Sequence, residues 1–410
     1  MPEAANEIVR RLEEHGFETW AVGGAVRDAL LIGSRADWDL ATAARPDTVR
    51  KLFRPSYPIG IQFGTIGVRG SDGYVYEVTT FRRDLETDGR HAVVEYADTL
   101  DEDLGRRDFT INAIAYHPLH HELHDPYDGR GDLDRRILRC VGDPTLRFSE
   151  DYLRVLRGLR FAGRYDLEIE NATWTALQAA VPNLPRLSGE RVREELLKVL
   201  AAPSPAPSLE LYRKSGALQR VFGEIAGLDD TEWSSLIRAI DRIPVEQTGL
   251  RLALLFQPAG PEIEAMMSRT RFSNAEVREV VGLSEALAQP LPEPGDAVAA
   301  RGWLREVTPD RATGALLLHS AHLEASEPGA AARTRLAEQA QIIGAVRDRG
   351  DPVTLGDLAI DGNDLNDLGI QPGPEIGSTL EACLSAVIED PGLNKRATLL
   401  DYVRRLREEA

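Results

Sequence analysis

Alternation of apolar and polar positions divides the chain in two. Residues 5 to 15 space their apolar side chains at helical intervals, and "TWAVGGAV" follows as a short strand. "VRDALL" then opens a helix, "DWDLAT" a second strand, and "RPDTVRKLFR" a helix with proline at its start. "FGTIGVRG" and "YVYEVTTF" alternate like the arms of a hairpin across "GSDG". From about residue 146 the strand signals stop and long helical patterns follow. "VPNLPRLSGE", "APSPAPS" and "QPLPEPGD" interrupt them as hinges or domain edges. No internal repeat of fixed period is evident. The pattern predicts an α+β fold: an α/β head followed by an all-helical remainder.

Composition bounds this picture without deciding function. A chain of 410 residues suggests about two to four domains. The 42% hydrophobic content supplies a large core. No apolar run approaches a membrane span, and the polar, amphipathic start "MPEAANEIVRRLEEHG" is unlike a signal peptide. Cys140 and Cys383 lie far apart, which fits a reducing cytoplasm and excludes a disulfide framework or a cysteine-ligated zinc site. The net charge of −18 argues mildly against a nucleic-acid partner, yet arginines gather between residues 135 and 164. A basic cleft on an acidic protein can still bind RNA.

The candidate chemistry begins in "GGAVRDALLIGSRADWDL", residues 23 to 40. Residues two apart on a strand share a face, so Asp37 and Asp39 are expected to converge, with Trp38 opposite. Glu77, in the strand "YVYEVTTF", adds a third carboxylate. Three such oxygens suit hard Mg²⁺ ions, which activate an attacking hydroxyl and stabilise a leaving phosphate oxygen. The plainer reading of D-x-D is a strand-end cap and an arginine ion pair. The glycines shift the balance. Gly23 and Gly24, between a strand and a helix, let backbone N–H groups approach an anion, and Arg27 stands one turn on to clamp it.

Residues 23 to 42 resemble the signature of class II tRNA nucleotidyltransferases, the CCA-adding enzymes and their relatives the bacterial poly(A) polymerases. "RRDFTINAIAY" (106 to 116) resembles the second family motif. Residues 125 to 165 resemble the linker and nucleotide-selecting motif, "RVREELLKVL" the helical motif after it, and residues 355 to 380 the family tail. The resemblance implies a nucleotidyltransferase-type head with a small mixed sheet (1–145), then an all-α neck (146–205), body (206–295) and tRNA-binding tail (296–410). It implies Asp37, Asp39 and Glu77 as catalytic Mg²⁺ ligands. Gly23, Gly24, Arg27 and Arg107 would contact the incoming CTP or ATP, with Asp108 and Asn112 holding the ribose or the motif itself. Asp151, Arg154, Arg157 and Arg160 would do so from the neck. The implied partner is tRNA; no membrane and no obligate protein partner are inferred, and the location is cytoplasmic.

In "EDYLR", Asp151 and Arg154 stand three apart, neighbours on one face if the segment is helical. Ionised Asp only accepts hydrogen bonds and Arg only donates. Cytosine and adenine present an amino donor beside a ring-nitrogen acceptor; guanine and uracil present the reverse. An Asp–Arg edge therefore matches C and A and rejects G and U, although an ordinary salt bridge is the alternative. Something must then switch C to A as the RNA end grows. The charged segment 82 to 98 resembles the family's flexible loop; a solvated hairpin is the plainer reading. His117, His120, His121 and His124 are read as a solvated turn, with no HD-type hydrolase activity expected. The leading reading is a CCA-adding enzyme. The alternatives are an A-adding or CC-adding partial enzyme, a poly(A) polymerase, and a non-enzymatic RNA-binding module on an inactive scaffold. All three carboxylates are present, which disfavours the last.

Overall fold

The computed structural model describes residues 1–33, 38–60, 63–87, 92–326 and 329–409. The chain forms two compact units, Met1–Ala226 and Gly227–Ala410.

The first unit opens with α1 (Glu3–Glu14), whose stripe of Ala5, Ile8, Val9 and Leu12 is buried. Seven strands form one sheet: β1 (Thr19–Val22), β2 (Asp39–Thr42), β3 (Ser56–Gly60), β4 (Thr65–Arg69), β5 (Val75–Thr80), β8 (Ala115–His117) and β9 (Glu122–His124). Their order is β3-β4-β5-β2-β1-β8-β9. Only β2 and β5 run parallel, so the sheet is mixed. β1 is buried along its whole length, as its place between β2 and β8 requires, with its one polar side chain, Thr19, bonded to Thr42 at 2.8 Å. α2 (Gly24–Ile32) follows β1, and α3 (Pro46–Leu52) starts on its proline. The β4–β5 hairpin forms as expected; Asp72 ties its turn by accepting from the Tyr74 amide at 3.0 Å. β6 (Arg82–Thr87) and β7 (Ala92–Tyr96) pair as a separate two-stranded ribbon. The proposed loop is thus built on a hairpin, and its residues 88–91 lie outside the described residues.

α4 (Leu100–Gly105) precedes β8 and β9, and α5 (Gly129–Asp134) follows them; α6 (Pro144–Glu150), α7 (Leu153–Tyr165), α8 (Asn171–Ala180) and α9 (Gly189–Leu200) then make the unit mostly helical. Two expectations need correction. The strand signal does not end at residue 146, because Glu168–Ile169 pairs in parallel with Ile137–Leu138. β2 starts at Asp39, so Trp38 stands ahead of the strand, and Asp37 lies outside the described residues.

The second unit is helical. One core gathers Trp303, Leu304, Ile343 and Val346; another gathers Leu365, Val387, Leu399 and Val403. Buried Arg301 pins it by donating to the carbonyl of Ile388 at 2.6 Å and to Asp351 at 3.0 Å. Among the described residues no helix is long and apolar enough to cross a membrane.

Candidate active site

The first unit contains a cleft of about 580 Å³, and the sheet supplies its floor. In the parallel β2–β5 pair Leu40 is level with Val78, so Asp39 is level with Glu77 one step back. Laterally paired residues share a face, which brings the two carboxylates together, exposed, on the cleft floor. Where β1 turns into α2, Gly23 adopts φ 75°. A Cβ there would lie 2.8 Å from Arg107 Nη1. Both the left-handed backbone and the overlying guanidinium therefore require glycine.

Behind this turn lies a continuous polar network. Asp108 accepts from Asn112 Nδ2 at 2.8 Å and from Arg157 Nε at 2.8 Å. Asn112 Oδ1 in turn accepts from Arg27 Nη1. Arg27 also donates to Asp28 at 2.9 Å and to the Tyr165 hydroxyl at 2.8 Å. Its guanidinium lies 4.9 Å from the Phe161 ring centre and 4.6 Å from that of Tyr165. The head's glycine turn is thus wired to α7. Burial pushes the Asp108 carboxyl up, but Arg157 and the Asn112 hydrogen bond outweigh it and bring it down to about 2.

Replacing Asp108 by Ala leaves Arg157 without its carboxylate and is expected to cost about 3 kcal/mol, read by denaturant unfolding at neutral pH. A carboxyl lowered in the folded state stabilises fully above its unfolded value, near pH ~4. That stability is lost as pH falls toward about 2. The gap between wild type and variant must therefore narrow over this range; a constant gap contradicts the assignment.

The neck corrects two expectations. "EDYLR" is not one helix. α6 ends at Glu150, Asp151 is extended (φ −153°, ψ 107°), and α7 begins at Leu153. Asp151 accepts from the Leu153 amide at 3.0 Å and from Arg191 Nη2 at 2.7 Å. Arg154 instead pairs with Glu150 and donates to the carbonyls of Arg147 at 2.9 Å and Arg106 at 3.1 Å. The two side chains do not form the helix-face pair, yet both line the cleft. Arg160 is the second correction. It is 5% exposed, donates to Glu195 of α9 at 2.6 Å, and is absent from the cleft wall. Gly23, Gly24, Arg27, Asp39, Glu77, Arg107, Asp108, Asn112, Asp151, Arg154 and Arg157 all line the cleft; Asp37 lies outside the described residues.

Sequence reasoning missed Arg191, Asp103 and Arg106, which also line the cleft. Asp103 is buried and grips both Arg106 (2.8 Å) and Arg107 (3.0 Å). Its i,i+4 spacing to Arg107 was a legible signal. Nothing local links Arg191 to Asp151, 40 residues earlier.

The histidines are not simply a solvated turn. His117 is buried, with Nε2 2.6 Å from Glu13 Oε1 and Nδ1 accepting from the His120 amide at 3.3 Å. Potential ligand atoms of Glu13, His117 and His120 lie within 4.8 Å of one another, so the group could hold an ion. Its existing bonds already account for the buried imidazole: Nδ1 accepts, leaving Nε2 to donate to the carboxylate.

A mixed-sheet head with strand-borne carboxylates, a glycine turn and a helical neck defines a nucleotidyltransferase. Three family models match along the chain: the "Poly A polymerase head domain" over residues 19–139, the "Probable RNA and SrmB- binding site of polymerase A" over 166–228, and the tRNA nucleotidyltransferase domain 2 over 246–403. The CCA-adding enzyme of Limosilactobacillus reuteri is 31% identical, covering 99% of this chain and 97% of its own. That of Lactobacillus delbrueckii is 32% identical, over 97% and 96%. The solved Bacillus stearothermophilus CCA-adding enzyme in complex with CTP superposes with a TM-score of 0.81 at 29% identity, over 100% of this chain and 99% of that one. The chain belongs to the class II tRNA nucleotidyltransferases, among the CCA-adding enzymes. Membership implies a divalent metal, and the hard oxygens of Asp39 and Glu77 are a donor set that fits one.

Proposed function

We propose that this chain adds CMP and AMP from CTP and ATP to the 3′ end of tRNA, without a nucleic-acid template, in the cytoplasm. One observation carries this reading. A single cleft joins two level carboxylates, a glycine turn under Arg107, and the separately anchored Asp151 and Arg154 of the neck. Asp39 and Glu77, with Asp37, would hold Mg²⁺. Such ions lower the pKa of the attacking 3′-hydroxyl and neutralise charge on the leaving pyrophosphate. The turn at Gly23 and Gly24, with Arg27 and Arg107, would orient the triphosphate. The network of Asp108, Asn112 and Arg157 would fix the ribose and the neck. The 3′-oxygen forms a bond to the α-phosphorus as the bond to pyrophosphate breaks.

Asp151 and Arg154 would read the base. The broken helix supports this role in a different way from a helix-face pair. The extended Asp151 is anchored by Arg191, and Arg154 is anchored to Glu150 and two carbonyls, so each enters the cleft already oriented. We also read residues 1–145 as head, 146–205 as neck, 206–295 as body and 296–410 as tRNA-binding tail. The three family matches fall in that order.

The test is tRNA ending at the discriminator base, incubated with CTP, ATP and Mg²⁺. Addition of three nucleotides, C, C and A, supports the reading; continued A addition indicates a poly(A) polymerase. The ribbon of β6 and β7 would act in the change from C to A. Shortening residues 82 to 98 should stall the product at CC with C addition preserved, as read on a sequencing gel. Equal loss of both steps would assign the ribbon a folding role instead.

A further inference from the structure

The sheet face that carries Glu77 continues past it. Tyr57 on β3 is level with Gly67 on β4, and Gly67 is level with Glu77. Cross-strand partners share a face, so these residues form one row that Asp39 extends. Gly67 leaves a gap in that row. A Cβ there would lie 2.4 Å from Ile59 Cδ1, so the Ile59 side chain lies across the glycine beside Glu77. The outer end of the row is apolar and open: Tyr57 is 41% exposed, Ile59 52% and Phe63 49%. Arg82 joins this end to the cleft, which it lines, by donating from Nη1 to the Phe63 carbonyl at 2.9 Å.

In-line displacement places the attacking hydroxyl and the leaving pyrophosphate on opposite sides of the α-phosphorus. On the transfer reaction proposed above, the pyrophosphate lies at the Gly23 turn, on the β1 side of the carboxylates. The RNA terminus must then come in from the β4–β3 side, over this apolar strip. We propose that Tyr57, Ile59 and Phe63 form a shelf that seats the 3′-terminal nucleoside of the RNA. The chemistry suits the task. That terminus is any discriminator base at the first step and C at the next two. Stacking on an apolar surface tolerates every base, whereas an edge that hydrogen-bonds would reject some. β3 is also the sheet's edge strand, so self-association of two chains is the rival use of this face.

The experiment uses the full chain and tRNA transcripts ending at the discriminator position with 2-aminopurine as the 3′-terminal base. Wild type should quench its fluorescence on binding, and Phe63→Ala and Ile59→Ser should lose the quench. In extension assays with ordinary tRNA, each variant should raise KM for tRNA about tenfold, the loss of one stacked base. KM for CTP should stay within twofold, and Phe63→Tyr should restore wild-type behaviour. Variants of unchanged melting temperature that keep both the quench and the tRNA KM overturn the shelf, as does a rise in CTP KM matching that in tRNA KM. A wild-type dimer that the variants split, with tRNA KM unchanged, also overturns it and assigns the face to self-association. Failure of wild type to extend any tRNA would refute the transfer reaction, while the quench would still decide the shelf.

Discussion

Asp39→Ala and Glu77→Ala should each abolish nucleotide incorporation while tRNA binding stays close to wild type. The two carboxylates are level on adjacent strands and exposed on the cleft floor. Removing either is expected to spare the fold and remove an oxygen ligand. Metal-assisted charge stabilisation is worth several kcal/mol, so the loss in kcat should reach about three decades, at ~1.4 kcal/mol per decade. Asp37→Ala is expected to behave in the same way. The measurement pairs single-turnover incorporation of CTP in Mg²⁺ with tRNA binding by filter retention. Wild-type incorporation by an Asp39→Ala, Glu77→Ala double variant would refute the metal assignment. Loss of binding in parallel with loss of chemistry would make the carboxylates structural.

The second large effect concerns base choice. Asp151→Ala removes the acceptor for an amino group, and Arg154→Ala removes the donor to a ring nitrogen. Each should reduce discrimination against UTP and GTP by about one to two decades, the worth of one charge-assisted hydrogen bond. The effect belongs in the ratio of kcat/KM for right and wrong nucleotides. The anchors sharpen the test. Arg191 holds Asp151 at 2.7 Å, so Arg191→Ala should relax selectivity in the same direction by loosening Asp151. A neck ion pair with no part in recognition would instead lower the melting temperature and slow all four nucleotides alike. Unchanged ratios in a folded variant would sink the base-reading role and leave Arg157, which also lines the cleft, as the next candidate.

Local pattern reached most of the head and only part of the neck, for physical reasons that particular residues make plain. Period-two alternation puts Thr79 on the face of Glu77, and a glycine pair between strand and helix marks a turn; both are written within a few residues of sequence. The break at Asp151 is not, because Glu150, Asp151 and Tyr152 are all compatible with a continuing helix. It is held by Arg191 on α9, far along the chain. Arg160 was misplaced for a similar reason. Three residues of helix leave it about 60° around the axis from Arg157. That is enough to turn one arginine to Asp108 and the other to Glu195. The identity of that buried carboxylate, 35 residues on, has no local signature. His117 shows the same limit. Its place in a histidine-rich turn suggested solvent, while its partner Glu13 lies on α1, 104 residues earlier in the chain.

The most direct measurement of the central claim resolves the reaction into steps. Three tRNA transcripts, ending at the discriminator base, at C and at CC, are each incubated with CTP alone, ATP alone or both. The account predicts that the first two take C to the CC stage and stop without ATP. The third should take a single A and then stop. Untemplated runs of A on all three ends, addition restricted to one of the two nucleotides, or no addition to any end would contradict it.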